Sequence, residues 1–271
     1  MKIISSFLLV LTITAAQAQH TLEKIWESDT TLAIPESVLF DNNMLYVALI
    51  DGGGWDADGK GGVGKVDKNG KIINATWATG LNAPKGMGLW KKKLYVADIS
   101  EVVVINTESG KVESKIPVEG ATGLNDITID SKGTIYVSDS RLGNVHRIQN
   151  GKAELYLSDL KGINGLKAVG NDLYLLAGTA GVLKAGPDKK TVVISPMEIG
   201  GDGIEPVGGG EYVVSCWPGV IYYLDKDGKM QTMLDTRDQK KNTADIGYNS
   251  SERIVYVPTF LKKSVVAYKL K

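Results

Sequence analysis

Six polar side chains recur at one position of a repeated unit, about ten residues before a tyrosine in each copy. They are three acids, two amides and one lysine: Glu36, Lys85, Asn125, Asn164, Asp202 and Asp245. All but the lysine offer side-chain oxygen, and none is His or Cys. Such a set selects a hard cation, and Ca²⁺ tolerates irregular geometry better than Mg²⁺. With a formal charge of −2, these "ring residues" predict a divalent metal, most simply Ca²⁺. The alternative is a water-filled channel in which the carboxylates pair with Lys85.

The repeated unit that carries the ring residues is about 40 residues long and occurs six times. Each copy has a tyrosine in a short β-rich run bounded by turn residues: Tyr46, Tyr95, Tyr136, Tyr174, Tyr212 and Tyr256. Units of this length with up to four short strands are typical of β-propeller blades. We therefore predict an all-β, six-bladed propeller with four-stranded antiparallel blades, whose first strands line a central channel. A β-sandwich with irregular hairpins is the alternative.

The two ends of the chain indicate how the propeller closes. The last unit supplies only three strands before the sequence ends, and Leu22 to Trp26 forms a spare strand near the beginning. We predict that this spare strand completes the sixth blade, so that residues 19–271 form one domain.

Residues 1–18 have the pattern of a secretory signal peptide. Lys2 supplies the positive charge, an apolar stretch follows, and Ala16-Gln17-Ala18 fits the cleavage site. The apolar stretch is too short to span a membrane. We therefore expect a mature chain beginning near Gln19 and located in the periplasm or outside the cell.

The amino-acid composition limits the classes of molecule that this protein is expected to bind. The chain has 31 basic and 31 acidic residues, a balance that argues against nucleic acid or an anionic membrane as the main partner. The one cysteine, Cys216, has no partner for an intramolecular disulfide. We expect a monomer that recognises a small molecule.

At the ring residues the sequence resembles the family of gluconolactonase and regucalcin (senescence marker protein) and, more distantly, the paraoxonases. Four motifs carry the resemblance in chain order, and it extends over the whole predicted mature chain. They are PESVLFD with Glu36, GLNDITID with Asn125 and Asp126, GINGLKAV with Asn164, and GGDGIEPV with Asp202.

The resemblance implies roles for these residues. Glu36, Asn164 and Asp202 look like the family's metal ligands, and Asn125 like a fourth ligand or a contact to metal-bound water or substrate. Asp126, the next residue in the same motif, is a candidate for substrate contact. Asp202 resembles the residue that also acts as general base. Family members carry an arginine two residues before the equivalent of Asn125, where this chain has Gly123.

The segment GWDADGK, residues 54–60, fits the spacing of a phosphate-binding loop. Gly61 stands where that loop needs Ser or Thr, and two aspartates would repel phosphate. We interpret the segment as an enlarged loop of the first blade, on the same face as the ring residues. Trp55 in this loop, with Trp217 and Phe260 from matching loops, is then a candidate for the pocket wall; the alternative is ordinary surface aromatics.

Three further residues lie at strand ends on that face. Asp98, Asp139 and the nearby Arg141 are candidates for substrate contact. Aspartate is also common where a chain turns, so turn formation is the alternative for the two acids.

Two functions remain open. The first is a metal-dependent hydrolase of a lactone or related ester, in which Asp202 or Asp245 activates a water and Lys85 holds a carboxylate of the substrate. The second is a propeller of NHL-like type that binds a ligand or protein without turnover. Gly123 favours the second, and the set Glu36, Asn125, Asn164 and Asp202 favours the first.

Overall fold

The computed structural model of the chain describes residues 19–271, so the predicted signal peptide lies outside the described residues. This part of the chain forms 24 strands in six four-stranded sheets. The strands are β1 (Leu22–Glu27), β2 (Pro35–Asp41), β3 (Met44–Leu49), β4 (Gly61–Asp67), β5 (Ile72–Leu81), β6 (Pro84–Trp90), β7 (Lys93–Asp98), β8 (Glu101–Asn106), β9 (Val112–Pro117), β10 (Leu124–Ile129), β11 (Ile135–Asp139), β12 (Asn144–Gln149), β13 (Lys152–Leu157), β14 (Ile163–Val169), β15 (Asp172–Ala177), β16 (Gly181–Ala185), β17 (Thr191–Ser195), β18 (Ile204–Gly208), β19 (Glu211–Cys216), β20 (Val220–Leu224), β21 (Met230–Asp235), β22 (Gly247–Asn249), β23 (Ile254–Pro258) and β24 (Val265–Leu270).

The sheets are the blades of a six-bladed β-propeller, as the repeat predicts. Strands β2 to β5 form blade one, and each later group of four forms the next blade. Blade six is different because β1 joins it: its order is β1-β24-β23-β22. Leu22 pairs with Leu270 and Glu27 with Val266, in antiparallel register. The predicted closure by the N-terminal strand is confirmed, and the sandwich alternative is wrong.

The core lies between neighbouring blades. One cluster combines Leu45 and Val47 of blade one with Tyr256 and Val265 of blade six, all fully buried. The tyrosine of each repeat contributes to these layers; for example, the rings of Tyr174 and Tyr212 lie 4.6 Å apart across two blades. A single sheet leaves both faces exposed, so stacking in a closed ring provides the burial that one blade lacks.

The first strands place the ring residues through a repeated irregularity. Pairing between the first and second strand shifts register at Glu36, at Lys85 and at the start of β10 and β14, where Asn125 and Asn164 lie. Such bulges re-aim a side chain out of the regular alternation. In blades five and six, Asp202 and Asp245 come just before β18 and β22.

Helical structure in residues 19–271 is limited to three 3-10 turns of three residues each. Over the same residues, no helix has the length and apolar character needed to cross a membrane.

Candidate functional site

Glu36 and Lys85 are adjacent at the channel mouth, and both are 4% exposed. The Lys85 Nζ lies 4.0 Å from Glu36 Oε1, which is too long for a hydrogen bond. Glu36 Oε2 is buried without a hydrogen-bond partner. Burial raises the pKa of Glu36, and the charge of Lys85 opposes this rise. The pair is thus a close but incompletely satisfied ion pair.

Asp202 and Asn164 contact each other on the side of the ring opposite Glu36 and Lys85. The Asn164 amide Nδ2 donates a 2.6 Å hydrogen bond to Asp202 Oδ1. Asp202 Oδ2 is buried without a partner, in a residue that is 2% exposed. Burial and the charge of Glu36 raise the pKa of Asp202 well above its ordinary value, while Lys85 lowers it. Since Asn164 uses its nitrogen for Asp202, its carbonyl oxygen is available for a ligand.

Asn125 is the fifth ring residue at the channel mouth. Together with Glu36, Lys85, Asn164 and Asp202 it forms what we call the upper level of the ring. It is 8% exposed, and its side chain makes no hydrogen bond to any described residue. The next residue, Asp126, differs in that its carboxylate accepts two backbone hydrogen bonds. The amide of Asn125 therefore offers both a donor and an acceptor at the mouth.

Asp245 and Asp126 lie further along the channel than the residues of the upper level. Both line a small cavity of about 40 Å³, together with Ser37. Ser37 Oγ donates to Asp245 Oδ2 at 2.5 Å. The two oxygens of Asp126 accept backbone N–H groups of Leu166 and Ile127, each at 2.6 Å. We call this cavity the lower level of the ring. Asp245 can act as the water-activating base, and Asp126 can contact a substrate, only if the ligand reaches this lower level.

The lower level has its own titration behaviour. Burial raises the pKa of Asp126 to about 7, and the two backbone donors oppose this rise. Burial and the charges of Asp126 and Glu36 raise the pKa of Asp245 well above its ordinary value, against the bond from Ser37. The channel therefore holds several carboxyl groups that compete for protons.

Sequence reasoning missed an ion pair at this level. Lys167 Nζ donates to Glu205 Oε1 at 2.7 Å, between blades four and five. These residues follow Asn164 and Asp202 by the same interval in their repeats. That equal spacing was the available signal.

Trp55, the candidate for the pocket wall, lies beside one of the ring residues. Its indole ring lies 4.4 Å from Lys85 Nζ and 4.9 Å from the Arg141 Cζ. The loop that carries it is followed directly by β4, so no helix N-terminus is available for phosphate. Trp55 therefore covers the ring instead of belonging to a nucleotide site.

Trp217 and Phe260 lie together on the loops of blades five and six. Their rings meet edge to face at 5.4 Å, and Trp217 is 42% exposed. The structure shows them as a contact pair on this face.

Asp98 and Asp139 hold loops instead of facing a pocket. Both are 0% exposed. Asp98 accepts the N–H groups of Asn82 and Ala83 at 2.9 and 2.8 Å. Asp139 accepts the N–H of Thr122 at 2.8 Å. The interpretation of these two acids as substrate contacts is therefore corrected to turn formation, because burial and backbone donors use both carboxylates.

The donor set suits an oxygen-ligated cation. Within residues 19–271, no three His, Cys, Asp or Glu side chains are close enough to hold an ion by themselves. Two carboxylate oxygens, Glu36 Oε2 and Asp202 Oδ2, are nevertheless buried without partners. Both are oxygen donors of the kind that Ca²⁺ prefers, and Asn164 and Asn125 contribute amide oxygens to the same set of ring residues.

A larger cavity lies elsewhere in residues 19–271. It measures about 820 Å³ and lies on the opposite face, between blades two and three, where none of the ring residues lines it. Its volume alone does not make it the better candidate, because no buried unpartnered group of the described chain lines it.

Comparisons with known proteins bear on the fold. No family profile and no curated protein sequence matches this chain. Among solved structures, a gluconolactonase candidate from structural genomics is 15% identical, covers 94% of this chain and 93% of its own, and gives a TM-score of 0.70. A streptogramin B lyase is 11% identical over 93% and 98%, with a TM-score of 0.66. A chain of a nidogen/laminin complex is 15% identical over 80% and 85%, with a TM-score of 0.65. At these identities the likeness establishes the fold alone. The chain is thus a six-bladed β-propeller, sharing its fold with the gluconolactonase candidate and the streptogramin B lyase.

Proposed function

We propose that the channel mouth hydrolyses a lactone or related ester with the help of a Ca²⁺-like ion. The observation that carries this proposal is the pair of buried, unpartnered oxygens, Glu36 Oε2 and Asp202 Oδ2. Each such group costs free energy until a partner arrives, so the arrangement favours a ligand. The similarity in fold to a gluconolactonase candidate supports the reaction class.

The side chains of this protein would divide the work. Asn164 holds one oxygen of Asp202 at 2.6 Å and so orients the other. The raised pKa of Asp202 makes its ionised form a stronger base for a water molecule. Lys85 lies at the same level and can donate to the oxyanion that develops at the attacked carbonyl. When bound, the ion would polarise that carbonyl.

Trp55 would exclude bulk water from this chemistry. Its ring covers Lys85 at 4.4 Å. Removing water from a site strengthens every electrostatic interaction inside it.

A panel of γ- and δ-lactones, assayed with Ca²⁺ and with chelator, tests the proposal. We expect Ca²⁺-dependent hydrolysis that falls about 100-fold or more in Asp202→Asn, because loss of a general base typically costs this much. Asp188→Asn, in an exposed turn, is the matched control and should keep full activity. Absence of metal-dependent hydrolysis for every lactone would remove the enzyme interpretation.

A binding propeller without turnover is the second candidate. The position of Lys85 favours it, since its ammonium lies 4.0 Å from Glu36 and already supplies a positive charge. The similarity in fold to a chain of the nidogen/laminin complex shows that propellers of this kind occur in protein assemblies. In that case calorimetry would detect ligand binding to the ring while no lactone is consumed.

We also propose that the protein is exported, on the basis of residues 1–18 alone. Amino-terminal sequencing of the protein from its native cells should then begin at Gln19. An unprocessed Met1 would exclude cleavage.

A further inference from the structure

We propose that the cavity between blades two and three binds a small aromatic carboxylate, at a site separate from the ring residues. The cavity measures about 820 Å³, a volume typical of sites for small ligands. None of the residues that line it belongs to the ring. The proposal is therefore independent of the hydrolase and of the metal ion.

Blades one and three fill the space beside the repeat tyrosine with an aromatic side chain from their outer strand. In blade one the ring of Trp77 lies 5.2 Å from that of Tyr46. In blade three the rings of Tyr156 and Tyr136 lie 5.0 Å apart, edge to face. Aromatic pairs at such separations stabilise a structure beyond the area they bury. The outer strand thus supplies a ring on the side of the sheet that faces the next blade.

Blade six uses the same device at a position that the strand pairing defines. Its tyrosine, Tyr256, pairs with Ala267 in the third strand, and Ala267 pairs with Trp26 in the outer strand. The rings of Trp26 and Tyr256 lie 5.9 Å apart. A Cβ on Gly70 of blade one would lie 2.6 Å from the same indole. The Trp26 ring therefore fills the gap between two blades.

The same two pairing steps in blade two end at a serine. Tyr95 pairs with Val104, and Val104 pairs with Ser114. These three residues all line the cavity. Within residues 19–271, no aromatic ring packs on Tyr95 as Trp26 packs on Tyr256. The cavity therefore includes the space that an indole takes in blade six.

The inner wall of the cavity is apolar. Ile135 and Ile148 of blade three line it and are 5% and 1% exposed. Ile116 and Tyr95 of blade two are half-buried against the same core cluster, and Trp90 adds an aromatic wall. Burial of a ligand ring against these side chains is favourable without any directional partner.

The rim of the cavity is positive. No Asp or Glu of the described chain lines it, whereas five lysines do: Lys91, Lys92, Lys93, Lys115 and Lys132. Three of the five pair with carboxylates outside the lining, those of Glu108, Glu113 and Glu101. Lys91 and Lys132 pair with no carboxylate of residues 19–271. An anionic group at the rim would therefore meet two cations that have no acidic partner.

The apolar wall and the positive rim together select an aromatic carboxylate. The ring of such a ligand takes the place of the side chain that Ser114 lacks, and its carboxylate lies at the rim near Lys91 and Lys132. Exposed ion pairs contribute little affinity, so the ring supplies most of it and the charge supplies a smaller preference. An acidic peptide or a second copy of the chain needs a contact surface larger than one cavity of this volume.

Calorimetric titration with 2-naphthoate tests the proposal directly. 2-Naphthalenemethanol keeps the two rings and lacks the charge, and acetate keeps the charge and lacks the rings. We expect 2-naphthoate to bind at one site, about 3-fold tighter or more than the alcohol, and acetate not to bind at the same concentrations. Absence of 2-naphthoate binding would overturn the proposal, and so would equal affinity for the acid and the alcohol.

Ser114→Trp tests the location by supplying the side chain that blade six has. The new indole competes for the space of the ligand ring, so we expect 2-naphthoate binding to weaken about 10-fold or more. The melting temperature should stay equal or rise, because filling a cavity stabilises a fold. Thr191→Trp, at an exposed position of the outer strand of blade four, is the matched control and should keep binding. Unchanged affinity in a folded Ser114→Trp variant would overturn the assigned location.

A second variant tests the rim. Replacing both Lys91 and Lys132 with Gln should remove the preference for 2-naphthoate over the alcohol while the alcohol still binds. Lys262→Gln, an exposed lysine of blade six, controls for the loss of positive charge and should keep the preference. A preference that survives in the folded double variant would overturn the role of these two lysines.

The outcomes also separate this site from other occupants and from the proposed function. A wild-type dimer that Ser114→Trp dissociates, without any binding of 2-naphthoate, would assign the cavity to a second copy of the chain and overturn the proposal. Since the cavity and the ring share no residue, failure of 2-naphthoate to bind leaves the prediction of lactone hydrolysis unchanged.

Discussion

Single side chains in the channel are buried in a way that changes how they hold protons. Glu36, Asp126, Asp202 and Asp245 all have raised pKa values, chiefly because of burial. Their repeat position was visible in the sequence for three of the four. Their partners were not: the Asn164 bond to Asp202 and the Ser37 bond to Asp245 depend on which way each side chain points out of a bulge.

The pH dependence of stability provides a test at this scale. Asp126 has a pKa raised from 3.8 to about 7, so the folded protein binds this proton more tightly than the unfolded chain. Stability contributed by that proton is present below the unfolded pKa and is lost as pH rises towards 7, by about 4 kcal/mol in total.

Asp126→Asn removes this titration. We therefore expect the stability of the variant relative to wild type, measured by urea unfolding in chelator, to improve by about that 4 kcal/mol between pH 4 and pH 8. The comparison cancels the constant effect of the lost hydrogen bond. A difference between the two proteins that does not change with pH would show that Asp126 titrates normally.

The strands position the site by approaching one another very closely around the axis. Glycines follow three of the ring residues, at Gly86, Gly165 and Gly203. A Cβ on Gly165 would lie 2.3 Å from the Asp202 carbonyl, and one on Gly203 would lie 2.4 Å from Asp245 Oδ1. The glycines allow each ring residue to reach its neighbour on the next blade.

Gly165→Ala tests this close approach. The added methyl meets backbone, which cannot yield as a flexible side chain can, so we expect a loss of about 1–3 kcal/mol in unfolding free energy. The bond between Asn164 and Asp202 should be disturbed with it. Gly54→Ala is the control, because nothing lies within 4 Å of that Cβ; equal melting temperatures for both variants would disprove the packing argument.

The sequence predicted the strands more completely than the site. Tyrosines at regular intervals and turn residues defined the blades, because a propeller repeats the same packing unit. The split of the polar residues into two levels was not predictable. One extra residue in a bulge turns a side chain to the other face, and the repeat alone does not show it. Arg141 was seen near the face, but its place over Gly123 depends on a contact between two turns.

The molecule as a whole depends on joining its two ends. Strand β1 pairs with β24 in blade six, and the Trp26 indole donates a 2.9 Å hydrogen bond to the Lys68 carbonyl of blade one. The N-terminal strand thus belongs to one blade and contacts the next. This is the reason that residues far apart in sequence stabilise a single ring.

Deleting residues 19–27 should therefore destabilise the entire propeller. We expect the melting temperature to fall by about 10 °C or more relative to the chain that begins at Gln19, since each kcal/mol is worth about 2–4 °C at this size. Thermal unfolding followed by circular dichroism measures it. An unchanged melting temperature would mean that β1 does not close the ring.

The metal site itself can be tested by calorimetric titration with Ca²⁺ at pH 8, where the carboxyl groups of the ring are more ionised. We expect one Ca²⁺ site in the wild-type protein, no binding in Asp202→Asn, and equal or tighter binding in Lys85→Met, because that variant removes a competing cation 4.0 Å from Glu36. A wild-type protein that binds no divalent ion, with a site gained in Lys85→Met, would rule out the metal site and identify Lys85 as the cation that fills the ring.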